Sequence, residues 1–167
     1  VNPWFAMIDQ IPLVEVKIGE CAVVTSFVGE EGEDVTGADV NAKIVRNGKR
    51  GIWAEPLGPG KHPINTKVCK VDKVPTTQIL LNWADNESSA HKLDSNLKTI
   101  TLRTADAFNV SMDVSVIIHI AMTDAPKVVA NLGSVDNMIS QVLEPAISSH
   151  FRNSAQSVKA LDLYTKR

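Results

Sequence analysis

Along residues 109–122, NVSMDVSVIIHIAM, apolar side chains fall on every second position from Val110 through Met112 and Val114, and again at Ile118, Ile120 and Met122. The intervening positions begin with Asn109, Ser111, Asp113 and Ser115. A period of two turns one face of a strand toward a core and the other toward a wetter surface. Ile117 breaks the polar row, which predicts that the second face is covered near that point by another element. Upstream, residues 98–103 alternate in the same way, with Ile100 and Leu102 opposed to Thr99, Thr101 and Arg103. The two stretches predict a long hairpin closed around residues 104–108.

Shorter alternations precede this one. Val14, Val16 and Ile18 interleave with Glu15 and Lys17, and the run CAVVTSFV after Gly19-Glu20 is too short and too valine-rich for a helix. Two strands with a bend at the glycine are expected. Residues 43–46 and 49–53 flank Asn47-Gly48, a dipeptide suited to a tight hairpin turn. Further strands are expected at residues 67–71 and 78–83, then an exposed polar loop over residues 84–96.

After Met122 the period changes to that of a helix. Asp124 is placed to cap free amides and Pro126 is tolerated in a first turn; Val128, Val129 and Leu132 form the apolar side and Gly133 ends it. Ser134 or Asp136 opens a longer helix in which Val135, Met138, Ile139, Val142, Ala146 and Ile147 recur at three- and four-residue steps, on to Phe151. Pro145 predicts a kink. Val158, Leu161 and Tyr164 begin another helical pattern. The fold class expected is α+β: a β-rich N-terminal subdomain, then a curved, mainly antiparallel sheet packed against two or three helices. Residues 1–13 are expected to form an extended entry segment, 14–96 the first subdomain, 97–163 the second, and 164–167 the start of a truncated helix.

Composition narrows the function. At 167 residues and 44% hydrophobic content the chain can bury a real core. A formal net charge of -2 supplies no basic field, so nucleic acid is not an expected partner. Eight of the nine glycines precede position 61, which puts turns in the first half and regular packing in the second. No apolar run approaches the roughly 18 residues needed to span a bilayer, so this fragment reads as soluble. Trp4 and Phe5 are read as capping a core edge in preference to anchoring at a membrane interface.

Candidate chemistry is sparse. Cys21 and Cys69 lie in separate apolar stretches without metal-type spacing, and small buried side chains are favoured over a ligand pair or disulfide. The acidic tract Glu30, Glu31, Glu33 and Asp34 lacks the pattern of a calcium loop. Gly60-Lys61 within GPGKHPIN fails as a phosphate loop, because Glu55 and His62 stand where a glycine and a hydroxyl are needed. His62, His91, His119 and His150 are far apart, and structural roles are favoured over a metal site. Asp106 is better suited to its turn and Asp113 to the wet face of its strand than to a carboxylate pair. No catalytic, cofactor-binding or metal-ligating residue is assigned.

The succession VEVKIGECAVVTSFVGEEG, LGPGKHPIN, LRTADAFNVSMDVSVIIHIAMTDAPKVVANLG and VLEPAISSHFRNSAQSVKALDLYTKR resembles the SPFH or band 7 domain of stomatins, prohibitins and flotillins. It departs from the usual pattern at Asp106-Ala107, where Asp-Gly is common, and in an insertion over residues 29–50. The resemblance implies a non-enzymatic, membrane-associated scaffold that oligomerises to organise membrane microdomains or modulate membrane proteases or channels. It further implies self-association through this domain and a C-terminal coiled coil outside the chain, and lipid contact through an N-terminal anchor also outside it, with the cytoplasmic side favoured. A lipid- or peptide-binding module is the alternative, and a small hydrolase a weaker one.

Overall fold

The computed structural model describes residues 10–35, 43–85 and 92–161. They form a mixed α+β fold with strands in several sheets. The chain groups into two compact units, one drawn from Val1–Thr77 with Ile120–Gly133 and the other from Gln78–His119 with Ser134–Arg167. This grouping differs from a cut after residue 96, because strand pairing assigns residues 79–83 to the second unit and helix packing returns residues 125–132 to the first.

The first unit is built on β2 (Glu20–Ser26), which pairs antiparallel with β6 (Cys69–Pro75) along its whole length and with β4 (Gly51–Trp53) at its end. Cys21, Ala22, Val23 and Val24 are consecutive and all buried, so both faces of β2 are covered, as its unbroken apolar run requires. Helix α1 (Ala125–Leu132) lies against β2, with Ala125, Pro126 and Val129 buried. β1 (Val14–Val16) pairs with β5 (Gly60–His62), and Gly19, at φ +88°, makes the bend into β2. Ile18, expected on the apolar face of β1, is instead 95% exposed, because the strand stops at Val16 and the residue falls in the turn.

The Asn47-Gly48 turn forms, with the Lys49 amide donating to Arg46 O at 3.2 Å, but it does not close a hairpin. β3 (Ile44–Val45) and β4 run parallel, Ile44 opposite Ile52 and Val45 opposite Trp53. Side chains turn the chain back. The Asn47 amide brackets Glu55, donating to its carbonyl at 3.1 Å and accepting from its N–H at 3.2 Å, and Trp53 Nε1 donates to Lys49 O at 3.1 Å.

The second unit contains the stretch with the clearest alternation, divided between two partners. β9 (Asn109–Met112) forms the expected hairpin with β8 (Ile100–Arg103), while β10 (Val114–Ile118) pairs antiparallel with β7 (Ile79–Trp83). The break falls at Asp113, whose carboxylate accepts from Thr99 Oγ1 at 2.8 Å. The strand ends at Ile118, short of Met122. Ile79, Leu81 and Trp83 are buried opposite Ile118, Val116 and Val114, so the even-numbered face is the inner one. Ile117 is 64% exposed, and the cover expected over it is not found among the described residues. Within the polar loop expected to be exposed, Asp94 is buried, its carbonyl accepting from the amide of Leu97, the buried residue just beyond the loop, at 2.9 Å; residues 86–91, with His91, lie outside the described residues.

Helical segments depart from expectation at two points. Asp124 makes no side-chain cap on α1; its carboxylate accepts from Lys127 Nζ at 3.1 Å. Ser134 does cap α2 (Val135–Met138), accepting from the Asn137 amide at 3.2 Å. Residues Ile139–Leu143 then form a π-helical turn leading into α3 (Glu144–Gln156), where the Glu144 amide reaches back to Ile139 O. Pro145 explains the wide turn, since it offers no N–H and its ring would strike the carbonyl four residues back. The extra residue rotates the apolar face. Ile139, Leu143, Ile147, Phe151 and Ala155 now point inward at steps of four, and Val142 and Ala146, expected on that stripe, are exposed. Trp4, Phe5 and the pattern beginning at Tyr164 lie outside the described residues.

Candidate functional site

The outer face of the β7–β10 pair is the surface most unlike an ordinary solvated strand. Alternation sends Ile79, Leu81 and Trp83 inward, which leaves Leu80 pointing out, directly opposite Ile117. Opposed residues of an antiparallel pair share a face, so these two apolar side chains, 46% and 64% exposed, stand side by side. The next pair along is polar, with Ser115 Oγ donating to Asn82 Oδ1 at 2.7 Å, and beyond it lies the Thr99–Asp113 bond. The result is a short apolar ridge flanked by hydrogen-bonded polar groups. The sequence predicts a strand over residues 78–83 without assigning its faces, so Leu80 is not singled out there; the burial of Ile79, Leu81 and Trp83 is what sends it outward.

A second feature of the same unit fixes the chain beyond α3. The turn between β8 and β9 is held by Thr104, whose hydroxyl donates to Asp106 Oδ1 at 2.5 Å and accepts from the Phe108 amide at 3.2 Å. Asp106 also accepts from the Ala160 amide, at 3.1 and 3.3 Å, and the Ala105 amide donates to Val158 O at 3.1 Å. The Thr104 hydroxyl and then the Ala160 amide hold the Asp106 carboxyl below the usual carboxylate range. Asp106 therefore serves its turn, as its position predicted, and in addition caps the helical residues Ala160 and Leu161, 54 residues away. Sequence spacing held no signal for that partner.

Ala107 occupies this turn at φ +67°, the conformation that glycine adopts without cost. Ala107→Gly is expected to relieve about 1 kcal/mol of strain, set against the added freedom of glycine in the unfolded chain, and to leave the melting temperature unchanged or higher. Thermal unfolding followed by circular dichroism checks this; a clear fall would show that the turn carries no strain.

The remaining candidates are dispersed. His62 Nε2 lies 2.8 Å from Gly58 O in the first unit, while His119 and His150, in the second, are exposed, His150 packing edge-on against Phe151. No group of three His, Cys, Asp or Glu side chains among the described residues is arranged to hold a metal ion. Cys21 and Cys69 sit on paired strands five registers apart, roughly 17 Å, and are not joined. Burial pushes the Cys21 thiol up, away from the thiolate a nucleophile needs. Glu30 pairs with Lys49 at 2.5 Å and Glu31 with Lys43 at 3.1 Å, so lysines neutralise much of the acidic tract. Those lysines hold both carboxyls below the usual range. Gly60-Lys61 lies in β5 as part of a strand.

This arrangement of a β-rich unit, a strand hairpin and terminal helices coincides with a sequence match. The profile of the SPFH domain / Band 7 family covers residues 14–167. The chain belongs to this family. Band 7 domains are in general membrane-associated scaffolds without enzymatic activity. In this SPFH domain no described helix is long and apolar enough to cross a membrane. No curated protein matches the chain.

Proposed function

We propose that this SPFH domain self-associates as part of a membrane-associated scaffold, organising membrane microdomains or modulating membrane proteases or channels by holding its copies in a fixed array. The family match over residues 14–167 carries the reading. The Leu80–Ile117 ridge supports its self-association part, because a rigid strand pair presenting two apolar side chains within a polar frame is a surface that gains by being covered. A repeated copy of the chain offers a partner of fixed geometry.

The test is the particle mass of the full-length protein in mild detergent. Many-copy particles are expected, and Ile117→Lys should shift them toward smaller species while changing folding stability by no more than about 0.5 kcal/mol, as for other exposed substitutions. Wild-type particles of monomer mass would overturn the reading.

A further inference from the structure

β6 is the last strand of its four-stranded sheet, which runs β3-β4-β2-β6. β2 satisfies one side of it. The other side ends in backbone groups that pair with no strand among the described residues. Which groups these are follows from the alternation of an antiparallel ladder. Ala22 exchanges both its backbone bonds with Leu57, at 2.9 and 2.8 Å, so its N–H and C=O point away from β6, and those of Lys73, opposite it, point away from β2. The same parity turns the backbone groups of Cys69 and Val71 outward. The Cys69 amide donates to Asn65 O at 3.0 Å, and Pro75 has no N–H to give. The amides of Val71 and Lys73 and the carbonyls of Cys69, Val71 and Lys73 remain, a template for another strand.

An edge of seven residues is ordinarily guarded by charge, and Lys70 and Lys73 are both exposed. Their spacing opposes most registers of a second β6 and admits one. When two copies of β6 lie antiparallel, ladder bonds form only if outward-pointing residues meet outward-pointing residues. Setting Val71 against Val71 places each Lys70 opposite the Asp72 of the other copy, and each Lys73 opposite Cys69. A slip one way opposes Lys70 to Lys70, and a slip the other way opposes Asp72 to Asp72. Directly opposed residues share a face, where unlike charges attract and like charges repel. Lys70 Nζ, on a side chain 56% exposed, already pairs with Asp72 Oδ1 within one chain at 2.9 Å, so both charges stand on one face of the strand.

We propose that β6 pairs antiparallel with β6 of a second copy of this chain, Val71 opposite Val71, joining the two sheets into one. The Val71 residues exchange a reciprocal pair of backbone bonds, and each Lys73 amide donates to the carbonyl of the opposing Cys69. Such a contact is isologous and closes at two copies. It rests on the self-association proposed above and names a contact for it in the first unit; a larger array needs a further contact, such as the Leu80–Ile117 ridge.

The experiment uses the full-length protein in mild detergent, with a photo-cross-linking amino acid in place of Lys73 and the adducts located by peptide mass spectrometry. A β6 peptide joined to a second β6 peptide can come only from two copies, and this adduct is expected. Lys70→Asp opposes carboxylate to carboxylate at both ends of the contact and should cut the adduct about tenfold or more. Asp72→Lys should do the same with two cations, and combining the two substitutions should restore the adduct. Lys70 is exposed, so Lys70→Asp keeps the fold, which unchanged circular dichroism verifies. Many-copy particles without the β6–β6 adduct, or an adduct indifferent to Lys70→Asp, would overturn this contact and leave self-association standing. So would failure of the combined variant, folded by circular dichroism, to recover the adduct. Wild-type particles of monomer mass would overturn self-association itself, and this contact with it.

Discussion

Leu81→Asp is expected to unfold the second unit, while Leu80→Asp, one residue earlier in the same strand, leaves its melting transition in place. Leu81 is fully buried, opposite Val116, and its neighbours Ile79 and Trp83 are buried with it. A carboxylate there has no described cation to pair with and costs several kcal/mol, against a total stability of roughly 5–15 kcal/mol for a domain. Leu80 is 46% exposed, and a charge at that position meets water. Thermal unfolding of the two variants measures the difference directly. Equal losses would mean that β7 does not keep the register in which Ile117 faces Leu80, and a larger loss at Leu80 would mean a slip by one residue, which turns every side chain to the other face.

Gly51→Ala has the second largest expected effect. Gly51 begins β4 at φ +135°, where side chains are strained, and a Cβ there would stand 3.0 Å from Val45 Cγ2 and 3.1 Å from Lys43 O. Conformational strain and crowding against the buried β3 act together, and a loss of about 1–3 kcal/mol is expected. Gly48 provides the control. It also has positive φ, +88°, but nothing lies within 4 Å of a Cβ built there, and asparagine tolerates such backbone. Gly48→Asn should therefore cost much less. Denaturant unfolding of both variants tests whether the parallel β3–β4 ladder depends on the chain turning back so closely at Gly51; similar small losses at both sites would show that it does not.

What the sequence disclosed follows from the range over which each signal acts. Alternation is local, so the inner and outer faces of residues 109–118 were readable, as were the 104–108 turn, the Gly19 bend and the stop at Gly133. Partner choice is not local. Nothing in the letters says that Asn109–Met112 pairs with β8 while Val114–Ile118 pairs with β7, or that the Asn47-Gly48 turn feeds a parallel ladder; these depend on Thr99 meeting Asp113 and on the Asn47 side chain meeting the Glu55 backbone. Pro145 announced an irregularity but not its form, and the π turn that absorbs it moved Val142 and Ala146 off the apolar face. The exposed face of Ile117 was misjudged for a related reason: an apolar residue in a polar row tells that something covers it or that something should.

The same residue offers the most direct test of the scaffold account. A photo-cross-linking amino acid placed at position 117 of the full-length protein, activated in its native membrane, reports what lies against the ridge of β7 and β10. Adducts between copies of this chain are expected, diminished when Leu80 is replaced by lysine. Cross-links that form only to lipid or to unrelated proteins, or none at all, would contradict it.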